Sequence, residues 1–300
     1  PIQRGRGSIA ERNAKLILMV GVLGVSASAI LVRFSQAPSG VTAAYRLGWT
    51  VLLLLPVVLL RCRAELRRVT ARDLVLCGAS GVLLALHFLT WFESLKRTSV
   101  ASSTVLVSTE VIFTALGFAL FLHGKIPRLG VWAILLAFGG SALLALSGGG
   151  GAGELSGNLL ALAAASAAAV YTLIGRIQRG HLSTTVYTFL TYLACFLTLL
   201  LGTAAAGTPL TGYGGREWLI GLALAVLCTL LGHSLFSWCL KYLSPSYVSA
   251  AKLCEPVFSS LAAIPLFGEV PGPLQLAGGA AVLGAVLLYT WAEREKTPAG

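Results

Sequence analysis

The chain has 300 residues, of which 56% are hydrophobic and only 11% charged, and its mean hydropathy is +0.84. A soluble domain is about 25% charged, so this residue supply cannot clothe one, and lipid must solvate most of the side chains. The net charge of +11 does not point to nucleic acid, because the basic residues sit in short runs between apolar segments and form no aromatic-studded groove.

A helix needs roughly 20 apolar residues to cross about 30 Å of hydrocarbon. Ten segments qualify, at about 14–32, 41–60, 73–95, 99–122, 129–146, 156–176, 183–203, 217–240, 247–268 and 273–292. In lipid their backbones must be helical, since stray amides find no partner there. The first of them resembles the apolar core of a cleaved signal peptide, but the run continues through Val32, which suits a spanning helix better. Short connections with charges or breakers separate the segments, such as QAPSG (36–40), RRVTARD (67–73) and SGGGGAG (147–153). The six cysteines show no C-x-x-C spacing and read as small core residues. No metal spacing, nucleophile elbow or phosphate loop stands out, so neither an enzyme nor a cofactor is expected.

One stretch is repeated. Residues 87–124 (HFLTWFESLKRTSVASSTVLVSTEVIFTALGFALFLHG) return at 233–268 (HSLFSWCLKYLSPSYVSAAKLCEPVFSSLAAIPLFG). The step is 146 residues at His87/His233, 145 at Lys96/Lys241 and Glu110/Glu255, and 144 at Gly124/Gly268. Such regularity implies a duplication, with residues 1–147 as the first five-helix repeat, 148–155 as a Gly-rich join and 156–300 as the second repeat. With a cytoplasmic N-terminus, sixteen of the 22 Lys and Arg fall on the inner side and four on the outer side, leaving Arg46 and Lys252 within helices. This bias places both termini in the cytoplasm. Five spans per repeat is an odd number, so the second repeat enters the membrane upside down. The expected fold is an all-α integral membrane protein of ten transmembrane helices, a five-plus-five inverted-topology repeat, multi-pass in the cell (inner) membrane. In such proteins the binding site lies near the midplane and transport proceeds by rocking one part against another.

Ionisable residues inside a membrane call for a functional reason. His87, Glu110, His233 and Glu255 each lie near the middle of a predicted span, one of each type per repeat. Helical spacing sets Ser80, Leu84, His87, Trp91 and Ser94 on one stripe, and Ser103, Val107, Glu110 and Thr114 on another. In the second repeat the stripes are Thr229, His233 and Ser237, then Val248, Lys252, Glu255 and Ser259. Ser and Thr alone more often join helices than line a pathway, but stripes that carry carboxylates are expected to face a shared cavity. Lys252 stands three residues before Glu255, within reach of an intrahelical pair. Glu110 has no basic neighbour on its own helix and is the better candidate to carry a coupling proton, while Lys252 and Glu255 orient substrate. The histidines join helices or shuttle protons. Trp91 and Trp238 are placed to stack on a cationic or aromatic solute, with membrane-interface anchoring as the alternative. Pro256 cannot donate to the carbonyl of residue 252, which offers a hinge at mid-membrane or a tolerated kink. Glu93 is expected to pair with Lys96 or Arg97, and Arg46 to snorkel outward.

The run LCEPVFSSLAAIPLFGEVPGPLQLAGGAAVLGAVLLY (253–289), with Glu255-Pro256-Val257, Gly268-Glu269 and Gly278-Gly279, resembles EamA-type transporters of the drug/metabolite transporter superfamily. The first repeat carries a weaker copy, TSVASSTVLVSTEVIFTALGFALFLHGK, in which Glu110-Val111 lacks the proline and Gly124-Lys125 replaces Gly-Glu. PSGVTAAYRLGWTVLLLLP (38–56) also fits. The resemblance implies a basket-like bundle with its cavity formed largely by spans 1, 3, 4, 6, 8 and 9, adding Ser26 and Tyr171 as secondary site candidates. It also implies export or exchange of amino acids, metabolites or drugs. Together these features point to a proton-coupled exporter or exchanger of small polar solutes, amino acids or amine-type metabolites. The partners are then a small molecule, protons and the lipid bilayer, with the chain a monomer or homodimer. Uptake of an organic cation such as a quaternary amine through the same cavity is one alternative. A membrane receptor or scaffold that binds without transporting is another.

Overall fold

A computed structural model of the chain describes residues 2–121, 126–147, 152–178, 181–232 and 253–294, together with 235, 239 and 251. Every regular element among the described residues is helical. In chain order these are α1 (Ile2–Phe34), α2 (Ser39–Arg61), the single turn α3 (Arg63–Leu66), α4 (Ala71–Arg97), α5 (Val100–Val107), α6 (Glu110–Phe121), α7 (Arg128–Ser147), α8 (Ala152–Gln178), α9 (Thr184–Ala205) and α10 (Gly215–Ala223). A π-helical segment (Leu224–Gly232) continues α10, and α11 (Cys254–Phe267) and α12 (Pro273–Arg294) complete the described chain. Eight helical stretches are long and apolar enough to cross a membrane, and two shorter apolar ones lie at Arg128–Leu144 and Cys254–Phe267. Their outer faces carry Leu60, Val75, Leu120, Trp132, Leu201 and Leu219, all more than half exposed. Exposed apolar side chains in such number suit a surface bathed by lipid.

Local chemistry decides where the helices start. Thr70 caps α4 in a reciprocal box with Asp73, each accepting the other's backbone N–H. The second Asp73 oxygen accepts from Gln178 Nε2 at 3.2 Å, which ties that cap to the end of α8. Ser99 and Ser183 cap α5 and α9 by accepting from the amides of Ser102 and Val186.

α4 lies at the centre of the described bundle, packed against α8 and α9, while α2 bridges α9 and α10. α1 packs on the π segment and on α11, α6 packs on α8, α5 meets α11, and α7 pairs with α12. The main core gathers Phe88, Trp91, Phe92, Leu47, Tyr192 and Leu224 from these helices. Small residues let the backbones approach closely. A Cβ on Gly140 would stand 2.9 Å from the carbonyl of Gly278, and a Cβ on Gly278 2.9 Å from that of Gly140, which seats α7 on α12.

Gly81 is tighter still. A Cβ there would come within 2.7 Å of both the Cys195 amide and the Thr191 carbonyl of α9, backbone atoms that cannot swing aside. Gly81→Ala is therefore expected to destabilise the bundle by about 1–3 kcal/mol, read as a lower unfolding temperature in detergent. An unchanged melting curve would mean that α9 slides freely on α4.

Candidate functional site

The span predicted at 99–122 is not one helix. It breaks at Ser108–Thr109 into α5 and α6, and Glu110 is the first residue after the break. The segment VASSTVLVST is rich in β-branched and hydroxyl residues, which give up helix propensity and compete for backbone acceptors. Both hydroxyls at the break turn back on α5, Ser108 Oγ donating to the Thr104 carbonyl (2.9 Å) and Thr109 Oγ1 to that of Leu106 (2.6 Å). The Thr109 amide also reaches only three residues back, to the Leu106 carbonyl at 3.1 Å. A carboxylate in the opening turn of α6 gains about 0.3–1 kcal/mol from the helix dipole.

The stretch around Glu255 shows a comparable feature. α11 begins at Cys254 after a turn residue, Leu253, so Glu255 also lies in an opening turn. Leu253 stands 145 positions after Ser108, the same step that separates the two glutamates. Pro256 therefore occupies a first turn, where a missing N–H forfeits no bond within α11.

Half-buried Glu110 accepts a hydrogen bond from Thr172 Oγ1 of α8 at 2.7 Å, and His87 of α4 lies within its electrostatic reach. His87 Nδ1 sits 3.0 Å from the Ala164 carbonyl, again on α8. Its ring lies 5.8 Å from that of Trp91, nearly parallel, and 5.2 Å from that of Phe88. Trp91 is only 5% exposed, and its indole Nε1–H has no hydrogen-bond partner among the described residues. Tyr171, next to Thr172, packs between the core around α4 and the cluster at the α9 start. Thr114 follows one turn after Glu110 and is half-buried.

Other expected residues are hydrogen-bonded within the bundle. Ser80 shares a 2.7 Å hydrogen bond with the Tyr187 hydroxyl of α9, and Ser94 a 2.8 Å one with Ser103. Ser259 is fully buried and donates to the Ser26 carbonyl at 3.0 Å, joining α11 to α1, while Ser26 Oγ turns back to Val22. Glu93 pairs with Arg97 at 2.8 Å, as expected, and also accepts from Ser39. His233, Trp238 and Lys252 lie outside the described residues.

Arg46 departs from expectation. It does not snorkel outward but is 4% exposed inside the bundle. Nε donates to Thr229 Oγ1 of the π segment at 2.9 Å, Nη1 to Ser28 Oγ of α1 at 3.1 Å, and the guanidinium lies 4.5 Å over the Phe88 ring. Placing such a charge in a membrane costs roughly 2.5–3.5 kcal/mol on the insertion scale, offset here by two hydroxyls and an aromatic face. The π segment helps to build this seat, since the Thr229 hydroxyl itself donates to the Leu224 carbonyl five residues earlier, at 3.3 Å. π-helical turns concentrate at functional sites. One sequence signal did mark Arg46. Its Cα stands seven residues inside α2, about 10 Å along the axis at 1.5 Å per residue.

A second polar group ties one end of the bundle. Arg33 at the end of α1 pairs with Glu269 and donates to the Leu95 and Thr98 carbonyls. The other Glu269 oxygen accepts the Val100 amide at 2.8 Å, and Gln275 donates to both Ser99 and Ser102 at 3.0 Å. Nearby, Glu217 accepts from Ser35 Oγ and from the Gln36 amide. A cavity of about 260 Å³ opens beside this lattice, lined by Ser99, Ala101, Ser260, Ala263, Gly268, Glu269, Val270, Pro271 and Gln275. It touches none of the residues the sequence singled out for the site.

Two consecutive stretches of the chain, residues 13–146 and 155–291, each match the EamA-like transporter family. The chain belongs to that family. This EamA protein is similar to a pseudopaline exporter of Pseudomonas aeruginosa, 24% identical over 207 residues that cover 69% of this chain and 72% of the exporter. It is also similar to a Streptantibioticus cattleyicolor protein named "probable terminal-alkyne amino-acid exporter", 28% identical over 233 residues that cover 74% and 75% of the two chains. A solved crystal structure shares its fold with a TM-score of 0.60 at 18% identity, over 94% of this chain and 98% of the other. EamA-family members and the relatives named as exporters are transporters of the drug/metabolite superfamily, and this chain is a multi-pass membrane protein among them.

Proposed function

We propose that this EamA protein is a secondary transporter that exports or exchanges small polar organic solutes, amino acids or amine-type metabolites, by proton-coupled alternating access. The observation that carries the reading is Glu110, a half-buried carboxylate set at a helix break, hydrogen-bonded by Thr172 and within electrostatic reach of His87. A carboxylate so placed has a reason to be there if it takes up and gives back a proton. In this reading His87, Trp91, Glu110, Thr114, His233, Lys252, Glu255 and Ser259 line the pathway, with Ser26, Tyr171 and Trp238 beside it and Pro256 as the hinge. The chain has ten spans in two repeats, 1–147 and 156–300, with both ends in the cytoplasm and the spans in the inner membrane.

The packing supports the inverted repeat. Let the spans be numbered one to ten and the halves exchanged by adding or subtracting five. α4 with α8 is span 3 with span 6, and exchange turns it into span 8 with span 1, the π segment with α1. α6 with α8 becomes α11 with α1 in the same way, while α2 with α9, α5 with α11 and α7 with α12 map onto themselves. Neighbours that survive exchange are what a two-fold axis between the halves produces, and five spans per half would lay that axis in the membrane plane.

The test is flux. Proteoliposomes holding the purified chain and a preloaded radiolabelled amino acid should release it several times faster under an opposing proton gradient than without one. Release indifferent to the gradient overturns proton coupling. Absence of flux for a ligand that binds overturns transport in favour of a receptor.

A further inference from the structure

Arg46 is held, but no described residue bonded to it neutralises its charge. Its two anchors, Ser28 and Thr229, are neutral hydroxyls, and Phe88 offers a ring face. Among the described residues no carboxylate bonds to it, and Nη2 has no hydrogen-bond partner. Glu255 acts on it electrostatically from a distance. A guanidinium keeps its proton at any working pH, so this charge is a permanent feature of the bundle interior. Anchoring Nε and Nη1 to neutral hydroxyls leaves Nη2 without a partner among the described residues, and a fork with a spare donor suits a planar anion.

The surroundings narrow the class of anion. Phe88, on which Arg46 lies, contacts His87, and His87 stacks on Trp91, so a continuous aromatic run leads from the guanidinium toward Glu110. Trp91 adds a buried donor that lacks an acceptor among the described residues. Two glutamates within electrostatic reach of this run, Glu255 at Arg46 and Glu110 at His87, disfavour a dianionic phosphate and suit an ammonium group. A bare organic cation would meet the fixed charge of Arg46 with nothing to offer it.

We propose that Arg46 binds the carboxylate of a transported zwitterion whose ammonium group faces the glutamates, so that the substrates are amino-acid-like and carboxylate-free cations are rejected. This rests on the transporter reading but concerns the same site's specificity, and binding tests it separately from flux. The probes are matched pairs offered to the purified wild-type chain in detergent: L-leucine and 3-methylbutylamine, L-phenylalanine and phenethylamine, L-lysine and cadaverine, with choline as a quaternary amine. At least one amino acid should bind tenfold or more tightly than its amine, and more tightly than choline. Arg46→Met should remove that preference, and Arg46→Lys, which keeps the charge but not the fork, should lower amino-acid affinity at least tenfold while shifting the amines less than twofold. If both variants misfold, the wild-type pairs decide alone. Amines or choline binding as tightly as the amino acids would overturn the proposal, as would no binding by any carboxylate, or unchanged affinity in a folded Arg46 variant. Selective binding without flux would leave it standing and remove the transporter reading instead.

Discussion

Glu110→Gln is expected to lower gradient-driven flux about a hundredfold, the usual scale for loss of a proton-transfer group, while one-for-one exchange of substrate across the membrane persists. The substitution is mild in every other respect. Glutamine keeps the shape of the side chain and a carbonyl oxygen that still accepts from the Thr172 hydroxyl, so α6 stays seated on α8. Only the capacity to bind and release a proton is lost. Glu255→Gln provides the contrast, because the assignment gives Glu255 a substrate-orienting role, and its loss should weaken substrate binding and depress exchange as well. Wild-type gradient dependence in a folded Glu110→Gln protein would move the proton site elsewhere, with His87 next in line.

The sequence made the apolar spans legible because membrane insertion acts on summed hydropathy over about 20 residues, a quantity insensitive to local detail. The described ends of α2, α4 and α9 fall within about two residues of the predicted spans. What the hydropathy could not carry was departure from α-helical geometry inside a span. The Ser108–Thr109 break leaves the 99–122 run as apolar as an unbroken helix, and only the density of hydroxyl and β-branched residues hints at it. The π segment is equally silent, and its effect on side-chain placement is larger. A stripe drawn through Thr229, His233 and Ser237 assumes 3.6 residues per turn, whereas residues 224–232 wind with five-residue hydrogen-bond steps, so faces read across them drift. On α4, an unbroken α-helix, 3.6-residue spacing does mark one inward face, with Ser80, Leu84, Trp91 and Ser94 buried and His87 half-buried.

Arg46 was missed for a different reason. A basic residue near a helix start reads as an interface residue when its helix is considered alone. Its true environment comes from Ser28, Phe88 and Thr229, on three other elements that the chain brings together only by folding. Thr172 escaped notice in the same way, a single hydroxyl among many until α8 carries it to Glu110. Carboxylates announce themselves in an apolar sequence, but the neutral groups that hold them do not.

Charge reversal at Glu269 is the second large effect expected. Glu269 does two things at once, pairing with Arg33 and accepting the Val100 amide, and so clamps α1, the start of α5 and the turn after α11. In the transporter reading this end of the bundle faces out, and the clamp holds it shut. Glu269→Arg would set two cations together and strip the Val100 amide of its acceptor, so the closed state loses both contacts. Transport that requires the outer end to close should then fall by at least tenfold. Cysteines placed at Ser99 or Ser260, both on the 260 Å³ cavity, should react faster with an impermeant thiol reagent from outside. The reversed pair, Arg33→Glu with Glu269→Arg, should recover part of the flux and part of the protection. Recovery should stop short of wild type, because an arginine at 269 cannot accept the Val100 amide. A single reversal that leaves flux and thiol reactivity unchanged would show that the clamp is not a gate. A double reversal no better than the single would show that the lost backbone bonds, of the Val100 amide to Glu269 and of Arg33 to Leu95 and Thr98, outweigh the ion pair.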